Sequence, residues 1–317
     1  MPCGKAVHAH AVSYAAKVQL AIRHLIVYIN LPHVLTGNVL YGDCRILRGY
    51  LQRVSIHARL GIERGIHSYQ GRVAIRAFGH GLAAKLKQPN LRIGRQGGAP
   101  EETLRALRLP GKLAEAEMRR ATVGVNTHKG AIFSMGILCG ALGRLDRESW
   151  GNPDRILDEC AAMAKGIVSE DYRDLTPETA KTAGQKLYLR YGITGVRGQA
   201  EAGFPAVREA GLPTLEAALA AGKNINEASC AALLALLVHT ADTNMIHRGG
   251  FDGMQQATLE VREILDRENF PSRETLESLD KRFIEKNLSP GGSADLLALT
   301  LFLHFLRETA HMSEFCN

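Results

Sequence analysis

Four short stretches of this chain concentrate the side chains that could do chemistry: "GVNTHKG" (124–130), "GITGVRGQAEAG" (192–203), "DTNMIHRGG" (242–250) and "NLSPGGSAD" (287–295). Each sets glycines beside amides, hydroxyls, a cation or a carboxylate, and each adjoins a predicted helix end. Glycine permits close backbone approach or a positive φ, and free N–H groups at a helix N-terminus favour an anion. Four such junctions brought together would make one phosphate-rich site. Each also has a plain structural reading. Asn126 and Thr127 suit an N-cap pair, His128 an interhelical hydrogen-bonder, Arg197 a helix-end salt bridge, and Ser289 or Ser293 a helix cap. Asp242 and Asn244, at i and i+2, either cap the following turn or offer hard oxygen ligands to Mg²⁺. The first stretch is not a Walker A loop, because the G-x-x-x-x-G-K-[ST] spacing fails and no strand precedes it; a Rossmann origin fails for the same reason.

The elements that must position these stretches read as helices. Helical spacing predicts segments at 101–108, 112–122, 130–145, 153–169, 177–191, 213–222, 226–240, 252–268, 272–286 and 293–310, with no alternating strand pair or βαβ rhythm among them. Residues 101–317 are therefore expected to fold as one all-α, multi-helix bundle. The apolar run "AIFSMGILCGALGRL" reads as a buried helix that carries the first stretch at its head and preorganises it.

Charge divides the chain at the same place. Residues 1–100 hold 14 Lys+Arg against Asp43 and Glu63, a net +12, whereas residues 101–317 hold 25 against 30, a net −5. The first part is an atypical basic segment, expected to be poorly ordered. It lacks a helix-turn-helix signal, an aromatic platform and an RNA-binding signature, so a nucleic-acid partner is not expected. Six cysteines without a C-x-x-C pair exclude a zinc knuckle and a disulfide framework. No run reaches the roughly 20 apolar residues of a membrane span, and Lys17, Arg23 and His24 interrupt the apolar N-terminal stretch where a signal peptide would be unbroken. A cytoplasmic protein with no membrane partner is expected.

Taken together, "AEAEMRRATVGVNTHKGAIFSMGILCGALGRL", "TAGQKLYLRYGITGVRGQAEAGFP", "DTNMIHRGG" and "FIEKNLSPGGSADLLALTLFL" resemble the triphosphoribosyl-dephospho-CoA synthases, which make the prosthetic-group precursor of citrate lyase and malonate decarboxylase. The resemblance runs from about Glu101 to about Phe305. It implies a pentosyltransferase that joins the 2′-hydroxyl of 3′-dephospho-CoA to C1 of the ATP ribose and releases adenine, by analogy with glycoside cleavage through an oxocarbenium-like transition state. The product would pass to the transferase that modifies the lyase acyl carrier protein. Lys129 and the C-terminal motifs tilt the expectation toward the citrate lyase pathway.

Under that resemblance the triphosphate calls for Lys129, Arg197 and Arg248, for N–H groups exposed at Gly124, Gly130, Gly198, Gly249, Gly250, Gly291 and Gly292, and for Ser293. Asn126 and Thr127 would bond phosphate or ribose. Asp242, Asn244 and Asp295 would hold Mg²⁺. Glu201 and Glu115 are the candidate bases or oxocarbenium stabilisers, and His128 the candidate acid for the departing adenine. The "TPKPGLVD"-like and "GAH-D-M"-like segments of the family are not visible in residues 1–100, and Gln199 stands where many members carry glutamate. The runner-up reading is therefore a non-catalytic binder of nucleotides or nucleic acid.

Overall fold

The structure, a computed structural model, describes residues 89–121, 126 and 129–314. The expectation for residues 1–88 lies outside the described residues. No strand occurs among the described residues, and those from residue 101 onward are all-α as the periodicity predicts. A helical stretch at 89–94 precedes α1 (Pro100–Ala121), α2 (Lys129–Arg144), α3 (Pro153–Ala164), α4 (Ile167–Tyr172), α5 (Ala183–Tyr191) and α6 (Gly195–Glu201). Then follow α7 (Leu212–Ala220), α8 (Ile225–Val238), α9 (Thr243–Arg267), α10 (Arg273–Glu285) and α11 (Gly291–Glu314).

Two apolar cores organise the bundle. The larger joins α1, α2, α3, α7 and α11 around Leu138, Ile156, Leu157, Leu215 and Phe302. The smaller joins α5, α9 and α10 around Leu187, Val261, Leu279 and Phe283. Helix α8 serves both: Ala232 and Leu236 face the first, Leu234 and Leu237 the second. A helix apolar all round belongs in an interior, and α2 does so, buried from Ala131 to Ile132 and from Ser134 to Gly143 and packed by α1, α3 and α11. Its glycines set the spacing. A Cβ on Gly140 would overlap the Leu107 side chain, and one on Gly143 would overlap the Leu91 carbonyl. Through Gly94, Gly140 and Gly143 the 89–94 stretch lies backbone to backbone on α2, so this end of the basic segment is part of the bundle.

Several boundaries differ from the sequence expectation, each for a local reason. The predicted break between 108 and 112 is absent, because α1 runs through Pro110. Proline in a helix interior costs ~3 kcal/mol. Leu104, Leu107 and Met118, all buried on one continuous face, return roughly 1.5–3 kcal/mol each. The predicted helix at 153–169 divides at Gly166, whose φ of 76° is left-handed. The predicted helix at 177–191 starts late, at Ala183, where Thr182 and Gln185 form a capping box. Helix α6 was not expected. Helix α9 begins nine residues ahead of the predicted residue 252, at Thr243, and is kinked at Gly250 (φ 75°, ψ 172°). No single helix among the described residues is long and apolar enough to cross a membrane.

Candidate functional site

All four polar stretches open on one cavity of about 830 Å³, toward the upper end of the range for small-molecule sites. Lys129 and Gly130 at the head of α2, Gly192 to Gln199 around α6, Asp242 to Asn244 at the head of α9, and Gly291 and Gly292 at the head of α11 all line it.

At the head of α2, Asn126 acts as the cap: its side-chain oxygen accepts the Lys129 N–H at 3.2 Å. Lys129 Nζ lies 3.3 Å from the Glu115 carboxylate of α1. Gly130 has no room for a side chain, because a Cβ there would overlap Asp295 Oδ2. Asp295 reaches across from α11 and accepts the Ala131 N–H. Burial, and then the charge of Asp242, push its carboxyl up to about 8.

Asp242 caps α9 with one oxygen, accepting the Asn244 and Met245 N–H groups at 2.9 and 3.2 Å. Its other oxygen accepts the Ser293 N–H and hydroxyl at 2.8 and 2.9 Å. One carboxylate thus ties the starts of two helices together. It is 3% exposed, and burial raises its pKa above the ordinary carboxylate value against the pull of those bonds. The helix-end N–H groups expected to await a phosphate are in part already bonded here to the protein's own carboxylates.

The third wall is cationic. Arg197 Nε donates to Asp171 Oδ2 at 2.6 Å, and Arg108 Nη2 donates to Asp171 Oδ1 at 2.7 Å. Burial disfavours the Asp171 charge, yet the hydrogen bonds from Arg197 and Arg108 outweigh it and hold the carboxyl below its ordinary value. Arg248, half-buried on α9, has its pKa lowered by burial and carries no ion pair to any described residue. Among the described residues, five cations (Arg108, Lys112, Lys129, Arg197, Arg248) and four carboxylates (Glu115, Asp171, Asp242, Asp295) line the cavity, a small positive excess.

Among the predicted site residues, Glu115, Asn126, Lys129, Gly130, Arg197, Gly198, Asp242, Asn244, Arg248, Gly291, Gly292 and Asp295 line this cavity. Ser293 stands behind it, bonded to Asp242. Glu201 does not line it; its carboxylate accepts the Gly166 N–H at 2.7 Å and braces the start of α4. Gly249 is pressed against Leu288, and Gly250 forms the kink. Gly124, Thr127 and His128 lie outside the described residues.

Other lining residues had no assignment from the sequence. Arg108 and Lys112 sit on the α1 face that reads Leu104, Leu107, Arg108, Gly111, Lys112, Glu115, a helical spacing that could have shown them. Asp171 and Tyr172 lie in an acidic run with no motif to mark them. Asn90 donates to the Gly136 carbonyl at 3.4 Å, while its buried Oδ1 has no hydrogen-bond partner. It closes an apolar end of the cavity formed by Leu104, Leu107, Ile132, Phe133 and Ile137.

No group of three or more His, Cys, Asp and Glu side chains suited to a metal occurs among the described residues. A fully protein-enclosed metal site is therefore not present among them. What the cavity does offer is an all-oxygen set: Asp295, with one backbone bond, and the exposed Asn244 beside Gly291. That suits an ion which keeps water and phosphate oxygens and takes one or two protein carboxylates. Asp242, with both oxygens doubly bonded, has no lone pair to spare.

Comparison with known proteins accords with this arrangement. Residues 72–314 match the model of the ATP:dephospho-CoA triphosphoribosyl transferase family, a match that starts upstream of the change in charge at residue 100. The chain is 42% identical over 220 residues to a probable 2-(5''-triphosphoribosyl)-3'-dephosphocoenzyme-A synthase of Citrobacter koseri, covering 68% of this chain and 72% of that protein. No solved structure matches it. With a family match that spans most of its length and leads through every wall of the cavity, the chain belongs to the ATP:dephospho-CoA triphosphoribosyl transferases, a family of enzymes.

Proposed function

We propose that the cavity transfers the triphosphoribosyl group of ATP to the 2′-hydroxyl of 3′-dephospho-CoA. The bond from C1′ of the ATP ribose to adenine breaks and a bond from that carbon to the hydroxyl oxygen forms. The hydroxyl proton passes to a carboxylate, and adenine takes up a proton as it leaves. The triphosphate stays on the sugar. The observation that carries this reading is the meeting of all four polar stretches in one cavity lined by Arg108, Lys112, Lys129, Arg197 and Arg248.

Lys129, Arg197 and Arg248 would hold phosphate oxygens, as charge-assisted donors do. The cavity's small positive excess falls short of a triphosphate's roughly four negative charges, so a divalent cation fits the site, held by Asp295 with Asn244 nearby. Mg²⁺ there would supply charge neutralisation of the phosphates. Glu115 would accept the hydroxyl proton, a choice supported by its lining the cavity beside Lys129, which Glu201 does not do. His128 keeps its role as the candidate acid. The apolar end with Asn90 suits the adenine ring, whose exocyclic amine would meet the unpartnered Oδ1. The product would serve the transferase that modifies the acyl carrier protein of citrate lyase.

Chromatography of reactions with ATP, Mg²⁺ and 3′-dephospho-CoA tests the reading. Adenine released only when both substrates are present is the expected result. A folded protein that binds ATP and releases none would be a binder instead.

A further inference from the structure

The Asp171 carboxylate lines the cavity with its side chain 12% exposed, while the Arg108 and Arg197 side chains that share it are 40% and 30% exposed. Each of its oxygens takes one guanidinium, Arg108 from helix α1 and Arg197 from helix α6. Arg197 is fixed further. Its guanidinium lies over the Tyr172 ring at 5.3 Å and near the Phe133 ring at 5.9 Å. Tyr172 in turn is stacked on Tyr188 at 4.2 Å. A guanidinium has five N–H donors. Asp171 takes one from each arginine, and Tyr172 Oη receives a long contact of 3.5 Å from Arg197, so most donors on both side chains remain for a ligand.

We propose that Asp171 is a positioning residue that aims Arg108 and Arg197 together, as a two-pronged cationic clamp, at the phosphate chain of a nucleotide substrate. Two arginines on one carboxylate keep a net positive charge. A carboxylate that takes one donor from each of two guanidiniums fixes their planes and leaves their remaining donors for a ligand, which is how preorganised phosphate recognition is built. The clamp is separate from the Lys129–Glu115 pair: Arg108 and Glu115 lie two turns apart on α1, on the order of 10 Å. The cavity thus offers cations in two places, as a reaction between two phosphate-bearing substrates requires. The inference rests on the transferase reading above and adds the residue that orients one of its anion sites.

The test uses the full chain and the variant Asp171→Asn, which keeps shape and removes charge. KM for ATP, KM for 3′-dephospho-CoA and kcat are measured separately, with the dissociation constant of inorganic tripolyphosphate by calorimetry. The clamp predicts a rise of about ten-fold or more in one KM, with kcat within about three-fold, and partial recovery in Asp171→Glu. A rise for ATP together with weaker tripolyphosphate binding assigns the clamp to the triphosphate. A rise for 3′-dephospho-CoA alone assigns it to that substrate's phosphates. Both KM values and the tripolyphosphate affinity within two-fold of wild type would overturn the proposal, as would a fall in kcat alone that Asp171→Glu leaves unrepaired. If Asp171→Asn does not fold, Arg108→Gln should give the same KM rise, and its absence counts equally against the clamp. A wild-type protein that releases no adenine defeats the transferase reading, and the tripolyphosphate comparison then decides the clamp alone.

Discussion

Replacing Asp295 with asparagine should make the metal-free protein more stable at alkaline pH. The wild-type carboxyl is raised from 3.8 to about 8 by burial and by Asp242. Its folded state therefore holds a proton that the unfolded chain has released, and stability falls as pH rises from about 4 to about 8. The whole shift would correspond to roughly 6 kcal/mol at about 1.4 kcal/mol per pK unit. Because Asp295 opens on a solvent-accessible cavity, about half of that, roughly 3 kcal/mol, is expected. An asparagine imitates the protonated acid and keeps an oxygen for the Ala131 N–H, so the variant and the wild type should coincide near pH 4 and diverge by pH 8. At ~2–4 °C per kcal/mol for a domain of this size, the variant's Tm in EDTA should exceed the wild type's by about 5–10 °C at pH 8. Scanning calorimetry of both proteins across that range is the assay. Parallel pH curves, or a variant less stable than wild type at pH 8, would refute the reasoning.

Gly143→Ala forces a methyl into the Leu91 backbone and should cost about 1–3 kcal/mol by overpacking, read as a lower Tm. Gly198→Ala presses on the Thr194 side chain at the start of α6; by shifting its neighbour Arg197 it should raise a substrate KM more than it lowers Tm. Glu115→Gln should lower kcat by ~100-fold or more with the fold intact, measured as adenine release. Glu201→Ala, which deletes the bond to Gly166, should cost about 1 kcal/mol of stability and leave kcat within a few-fold; abolished turnover at unchanged Tm would return Glu201 to the chemistry.

Helix content was legible because its determinants are local: apolar spacing marks α2, α8 and α11, and "NINE" carries the Asn224–Glu227 capping box that opens α8. Helix boundaries were less so. Nothing near Pro110 says that the burial of Leu104, Leu107 and Met118 will carry α1 across it, and only the Gly166 backbone marks the split between α3 and α4. Glycine-marked polar stretches pointed to the cavity, because a close approach such as that of Gly130 to Asp295 leaves a compositional trace. Asp171 left none. Its importance comes from two arginines 63 and 26 residues away, a relation that exists only once α1, α4 and α6 have packed. The same limit separates Asp242 from Asp295: alike as letters, one is fully bonded to helix starts and the other faces the cavity with lone pairs to give.

The kink at Gly250 gives α9 two allegiances. Its first seven residues, 243–249, carry Asn244 and Arg248 into the cavity and Met245 and Ile246 into the smaller core, which Met254, Ala257, Val261 and Ile264 of the remainder also join. The break frees the short forward rod from the register of the long rear one. The rotation that aims Asn244 and Arg248 is therefore set by Met245 and Ile246 on the same short rod, and a change in the packing of the long rod need not turn it.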